Sequence, residues 1–379
     1  MLTRAEFVRR GLAAGAGIAL APVLAGCGAR KAQSPAVVEI SPLHRLVAEA
    51  RLERRLTTIG LPPHWAGYGR LMRAFRRHYG LRIRSEFPDA SSAEELAALK
   101  ALAGRPAGPD VLDLKLVFAA QAAADGLFSP YQGSHWETIP EGLKDPSGLW
   151  VGDYWSAVAF GANLRHVRAA PESWEDLKRP EYHGKVAIAS DPRELGSGFV
   201  AVLAASLANG GSFDDILPGI ELFGDLKRRG NLVVTDVNAV TIGSGETPVT
   251  IDWDYVQAQR RALLASPASW RLTVPGDGLA GSFFCQAISA QARHPAAARL
   301  WHEFLLSDEG QVIRCASGQH PARFQDLVAR GVVPRRLLER FPPPRDYAGI
   351  RFPGPDQTKN ALGVLTDQWA TKVIQVQSA

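Results

Sequence analysis

From Arg55 onward the chain alternates short β-branched or apolar runs with helix-spaced segments, in units of about 25 residues, and this rhythm constrains the fold more than any other feature. Leu56-Thr57-Thr58-Ile59 reads as a strand. Residues 65–78 carry helical apolar spacing at Trp65, Tyr68, Leu71, Met72 and Phe75, and Leu81-Arg82-Ile83-Arg84 alternates apolar with polar as a strand does. Ser91-Ser92-Ala93-Glu94-Glu95 offers two overlapping capping boxes before a helix over 96–102. Val111-Leu112-Asp113-Leu114 is the next strand, followed by an Ala-rich helix to Ala124. A second set holds strands at Val186-Ala187-Ile188-Ala189, Asn231-Leu232-Val233-Val234 and Pro248-Val249-Thr250-Ile251, with a helix over 199–207. Strand-helix-strand order gives mostly parallel sheets flanked by helices, which place ligands beyond the carboxyl ends of their strands. In the first set that rule selects the loops beginning at Pro62, Pro88 and Lys115. The 379 residues exceed the ~250–300 at which a single core stops growing. Extended stretches over 155–164 and 280–289 join the two sets, which implies two lobes with a hinged cleft between them.

The first residues carry a different signal. Arg4, Arg9 and Arg10 precede an apolar stretch over 12–24 that ends in Leu24-Ala25-Gly26-Cys27. This resembles a bacterial lipoprotein signal, with small residues beside the cysteine that would be cleaved and diacylated. The apolar stretch falls short of the ~20 residues a transmembrane helix needs. Thr3-Arg4-Ala5-Glu6-Phe7 also resembles a twin-arginine export signal with Ala5 in place of the second arginine, which leaves the export route open. Loss of residues 1–26 removes three Arg and one Glu and leaves a net charge of +3, too mild to argue for nucleic acid. Residues 28–55 read as a tether with a short charged helix over 46–56 leading into the fold. Beyond Cys27 the cysteines are Cys285 and Cys315, and an oxidising compartment would permit a disulfide between them as readily as two buried thiols.

Several runs then carry a family likeness. Phe75-Arg76-Arg77-His78-Tyr79-Gly80, Pro109-Asp110-Val111-Leu112-Asp113, and Gly126-Leu127-Phe128-Ser129-Pro130-Tyr131 before Ile139-Pro140 begin it. Gly152-Asp153-Tyr154-Trp155, Ser173-Trp174-Glu175-Asp176-Leu177, His294-Pro295-Ala296-Ala297-Ala298, Phe304-Leu305-Leu306-Ser307 and Glu309-Gly310-Gln311 continue it. In their order the chain resembles the extracellular solute-binding proteins of ATP-driven importers, in the group with polyamine, ferric-ion and phosphonate receptors. The resemblance implies an α/β, two-lobed periplasmic-binding-protein-like fold of type II, each lobe a mostly parallel sheet flanked by helices. It divides the chain into a signal peptide over 1–26, a lipid-anchored tether and lead-in helix over 27–55, lobe one over 56–158 and 281–330, lobe two over 159–280, and C-terminal helices bracing the lobes over 331–379. The partners implied are a small-molecule solute, a membrane permease with its ATPase subunits, and the membrane itself through acylated Cys27. A monomer without cofactor, metal or nucleic acid, exported to the outer face of the cell membrane, completes the expectation.

Cleft residues follow from position and chemistry together. His64, Trp65 and Tyr68 come just after the first strand, where an aromatic face can stack on a ligand or attract an ammonium group by ~0.5–2 kcal/mol; Tyr68 reads equally well as the core face of the next helix. Ser91 and Ser92 could offer hydroxyls and helix amides to an anion, or simply cap. Asp252-Trp253-Asp254-Tyr255 follows a strand, and alternation would turn the two acids to one face and the two aromatics to the other. Tyr154 and Trp155 stand where the hinge begins. Asp113, Asp252 and Asp254 with the aromatics suit a polyamine-like or zwitterionic amine, the favoured solute. Lys115, Arg193 and the glycine-flanked Ser197 suit a carboxylate, phosphate or phosphonate instead. The absence of a Tyr-Tyr pair weighs against a ferric ion. No Gly-x-Ser-x-Gly elbow, phosphate-binding loop or His-Glu-x-x-His run suggests an enzyme. A solute-sensing or adhesion receptor that feeds no permease is the other reading of the same fold.

Overall fold

The computed structural model describes residues 43–377 except residue 104, so the leader, Cys27 and most of the tether lie outside the described residues. Lobe one opens with α1 (Leu43–Glu53), β1 (Arg55–Ile59), α2 (Tyr68–Tyr79), β2 (Arg82–Glu86), α3 (Ser92–Ala101), β3 (Val111–Lys115), α4 (Leu116–Ala124) and the start of the long strand β4 (Val151–Asn163). Lobe two holds the rest of β4 with β5 (Val186–Ile188), α5 (Ser197–Ala208), α6 (Leu217–Arg228), β6 (Leu232–Val233), α7 (Ala239–Ser244), β7 (Val249–Trp253), α8 (Asp254–Leu263) and β8 (Trp270–Thr273). The chain returns through β9 (Gly281–Ile288), α9 (Pro295–Leu306), α10 (Asp308–Ala316), β10 (His320–Pro321), α11 (Phe324–Ala329) and α12 (Arg335–Leu338), and closes with α13 (Pro355–Trp369).

The strands run in the order β2-β1-β3-β9-β4-β7-β5-β6, with β8 and β10 also on β4. Within lobe one β1 is parallel to β2 and β3, and within lobe two β5 is parallel to β6 and β7. β4 belongs to both sheets. Its residues up to Ala157 pair with β9, Ala157 lying opposite Gly281, and from Val158, opposite Trp253, it pairs with β7. Beside this crossing run two others, because Gly281 donates to the carbonyl of Arg351 and Arg351 to that of Leu279. The three segments lie so close that a Cβ on Gly281 would strike the carbonyl of Ser156, the ring of Phe352 and the Ile350 side chain. A waist of three adjacent strands is a hinge that can bend without shearing either core.

Each lobe has its own interior. Lobe one packs Leu112, Leu114, Trp155 and Phe283 on one sheet face and Tyr68, Phe75, Trp301 and Phe304 on the other. Lobe two buries Phe160, Trp174, Phe199 and Phe223, and α13 adds Leu365 and Trp369 to that core, Trp369 meeting Phe223 edge-on at 5.6 Å. Before α13, Leu337, Phe341 and Tyr347 pack within lobe one. The lead-in helix begins and ends three residues earlier than its charge pattern suggests. Arg54 takes a left-handed φ of 66° that stops it, and Leu56 enters β1. It is also part of the lobe rather than a spacer: Leu46 and Ala50 are buried, and Glu53 accepts the first amides of α9 from Ala296 and Ala297. Cys285 and Cys315 are free, buried thiols in separate clusters.

Candidate functional site

Between the lobes, against the waist, lies a cavity of about 40 Å³. β3 ends at it with Lys115, α4 begins at it with Leu116 and Val117, and from lobe two Leu195, Gly196, Phe199 and Trp253 close the far side. Ser282, Phe283 and Phe352 from the crossing segments and Thr358 from α13 complete its lining. Both α4 and α5 start at the cavity, and α4 does so without a side-chain cap, so its positive dipole end lies there, whereas the first turn of α5 is capped by Ser190. Gly198 is required at the α5 start: a Cβ would run into the Ser190 carbonyl, and its amide donates to the Ser190 hydroxyl at 2.8 Å.

Among the described residues Lys115 is the one ionic side chain lining this cavity. Its ammonium reaches across to the Leu195 carbonyl at 2.5 Å, joining lobe one to lobe two. Burial lowers its pKa from the usual lysine value, and Glu194 partly offsets this. The anchoring of Lys115 explains the doubled capping pattern seen in the sequence. Ser91 and Glu94 make the reciprocal box, whereas Ser92 and Glu95 turn away from it. The Ser92 hydroxyl accepts the Lys115 amide at 3.0 Å and the Glu95 carboxyl accepts the Asp113 amide at 3.0 Å, so α3 fixes the end of β3 that carries the lysine.

The remaining sequence candidates fall into four places. Trp65, 39 % exposed, stands at the mouth of the cleft, donating its indole N–H to Tyr154 at 3.2 Å and meeting Tyr255 of lobe two edge-on at 5.8 Å. His64 is exposed beside Asp89 on the next loop, 3.8 Å away. Tyr68, Asp113 and Tyr154 are buried below the cleft in a polar network with Asp153, Gln286 and Arg314. In lobe two, Arg193 pairs with Asp191 on the wall of an outer groove of about 460 Å³, and Ser197 lies 3.2 Å from the Ser190 hydroxyl, so neither side chain lines the cavity.

The strict alternation expected after β7 ends at Trp253, because α8 begins at Asp254. Asp252 is held by Arg260 at 2.8 Å. Asp254 instead accepts from the Ala157 amide, from His320 Nε2 at 2.5 Å and from the Tyr347 hydroxyl at 2.8 Å, while Trp155 stacks on the His320 ring at 4.1 Å. The two acids therefore have different partners, and only Trp253 of the four lines the cavity. Ser282, Phe199, Phe352 and Thr358 were not singled out from the sequence. The extended character of 280–289 marks the strand that carries Ser282, but nothing local shows which of its faces meets the cleft.

Asp113 is the odd acid of the lobe-one network. Arg314 is paired with Asp153, and the second carboxyl, pushed up to about 7 by burial and then by Asp153, holds a proton that Arg314 and the bonds from Tyr68 and Gln286 only partly oppose. Because the folded value lies above the unfolded one, the native state keeps a proton that the unfolded chain releases. The resulting stabilisation is full below about pH 4 and is lost as pH rises through about 7, and Glu95, also raised by burial, acts with the same sign. Stability measured by urea melts should fall by roughly 1–4 kcal/mol between pH 4 and pH 8, and Asp113→Asn should flatten that slope; an unchanged slope in the variant would show that Asp113 does not hold the proton.

Comparison with known proteins places this geometry. The bacterial extracellular solute-binding protein family matches residues 109–341. An uncharacterized protein of Haemophilus influenzae is 29% identical over 210 residues, 52% of this chain and 58% of that one. Iron uptake protein A1 of Synechocystis is 27% identical over 145 residues, 38% and 40% of the two chains. The chain thus spans well under two thirds of the length of these curated relatives. Among solved structures, the spermidine/putrescine substrate-binding protein PotD of Streptococcus pneumoniae superposes with a TM-score of 0.67 at 16% identity, over 84% of this chain and 99% of that one. The binding protein AfuA of Actinobacillus pleuropneumoniae, with fructose-6-phosphate bound, does so with 0.61 at 21% identity over the same shares. These superpositions establish the two-lobed fold, and with a family match over more than half its length the chain belongs to the bacterial extracellular solute-binding proteins.

Proposed function

We propose that this chain is the receptor of an ATP-driven importer and closes its lobes on a small solute that carries an anionic group. The observation that carries the reading is Lys115, lining the inter-lobe cavity beside the uncapped start of α4. A carboxylate, phosphate or phosphonate there would replace the Leu195 carbonyl as the lysine's partner and draw on the α4 amides while lobe two packs over it, so it would favour the closed state by its differential affinity. The amine preference read from the sequence loses its support, since Asp113, Asp252 and Asp254 each have protein partners away from the cavity. A zwitterion remains compatible, its amine facing Trp65 at the mouth. Acylation of Cys27 would hold the receptor beside its permease.

A thermal-shift screen tests this directly. A solute with Kd near 10 μM, supplied at 1 mM, stabilises the native state by about 2.7 kcal/mol. Phosphonates, carboxylates or sugar phosphates are expected to raise the melting temperature, and Lys115→Met to weaken their binding by about 10- to 100-fold through loss of a charge-assisted bond. Affinity should also fall as pH rises through the lowered lysine pKa. A shift produced by polyamines alone, and unchanged in the variant, would reject the anionic site.

A further inference from the structure

We infer that the pole of lobe one opposite the cleft is a docking face for an anionic lipid surface. At this pole the parallel strands begin: Arg55 on β1 lies opposite Arg82 on β2, and the Arg82 amide donates to the Arg54 carbonyl at 3.0 Å. The Arg51 guanidinium reaches the Tyr79 carbonyl at 3.4 Å, which brings the end of α1 against the last turn of α2 with Arg76 and Arg77. All of these arginines are exposed. Nearby acids are engaged elsewhere: Glu53 by the α9 amides and Glu309 by His78. Among the described residues no carboxylate pairs with Arg54, Arg55, Arg76, Arg77 or Arg82.

The α2 dipole accounts for Arg76 and Arg77, which stand at its C-terminal end. It does not account for Arg54, Arg55 and Arg82 at the strand starts. In their midst Leu52 is 82 % exposed. An acidic protein surface would satisfy the arginines but not the leucine, whereas a bilayer interface accepts basic heads and an apolar side chain together. α1 carries Arg51 and Leu52 in its last turn, next in the chain to Arg54 and Arg55 at the start of β1. The face lies about 13 Å from the cleft-side ends of the strands, four residue rises away. A receptor resting on it leaves its cleft open to the surrounding solution for capture.

The test is co-sedimentation of the full-length chain with vesicles of phosphatidylglycerol and phosphatidylcholine, or of phosphatidylcholine alone, at 50 and 500 mM salt. Each arginine near an anionic surface contributes about five-fold to partitioning. The triple variant R54Q/R55Q/R82Q should therefore bind the anionic vesicles about 100-fold more weakly than the parent, with the gap shrinking at high salt and vanishing on the neutral vesicles. The upstream segment is common to both proteins and cancels in the comparison. Equal binding of parent and variant overturns the proposal. A gap seen on immobilised polyglutamate but not on vesicles overturns it too, and assigns the face to an acidic protein. Circular dichroism confirms that the variant folds, and its response to solute in the thermal shift separates failure of this surface from failure of the receptor reading.

Discussion

Arg314→Met is expected to remove about 3–5 kcal/mol of stability, the range found when one partner of a buried ion pair is deleted and the other charge stays behind. Arg314 is fully buried in lobe one. Its guanidinium pairs with Asp153 and donates to the Ala66 carbonyl, and it lies over the rings of Tyr68 and Tyr154 at 3.9 and 4.7 Å. Methionine preserves much of the packing volume but leaves the Asp153 carboxyl facing Tyr68 alone. The double variant Arg314→Met with Asp153→Asn discriminates between lost packing and stranded charge. If the charge dominates, the pair of substitutions costs less than Arg314→Met alone, as measured by urea midpoints at pH 7. If the double variant is additive, the network acts through packing and the electrostatic account fails. The loop after β1 should also loosen, because Ala66 sits at a left-handed φ of 47° with its carbonyl bound to Arg314. Trp65 is the next residue back, so its fluorescence should report the loosening.

The contrast between what the sequence discloses and what it hides follows from the range of the interactions. Strand and helix positions are local: β-branched runs and apolar spacing place β1, β3 and α5 within two residues of where they form, while α3 starts at Ser92, four residues before the helix read from the sequence, because the capping box lies at Ser91 and Glu94. The crossing strand is legible because the stretch over 155–164 is extended and mostly apolar, and β4 is buried along its whole length. Lys115 is legible as the polar end of a buried strand. What the local pattern cannot give is the partner of a buried charge. Arg314 meets Asp153 across 161 residues of chain, and Asp254 meets His320 across 66 and Tyr347 across 93. Asp254 therefore reads as a ligand-facing acid when its side chain is in fact a structural tie, and the same holds for Asp113 and Asp252. The amine preference read from the sequence depended on those three residues.

That tie carries the second large effect. Asp254→Ala is expected to cost about 3 kcal/mol or more, since it strands a backbone amide at Ala157, the ring nitrogen of His320 and the hydroxyl of Tyr347, each worth about 1–3 kcal/mol when left buried without an acceptor. These donors come from the hinge strand, from β10 and from the segment before the third crossing, whereas the carboxylate comes from the start of α8 in lobe two. One side chain thus fastens lobe two to lobe one at the pivot. Loss of a contact inside either core would lower the stability of that lobe, but loss of this one weakens the coupling between them. The predicted signature in calorimetry is a melting transition that shifts down and separates into two components, one for each lobe, where the parent unfolds in one. Asp254→Asn keeps the size but turns an N–H toward one of the three donors, so it should give an intermediate result. A variant that melts lower yet still in a single sharp step would show that the waist strands and the other contacts between the lobes, such as Lys115 to Leu195, suffice to couple them, and that Asp254 serves only the fold of α8.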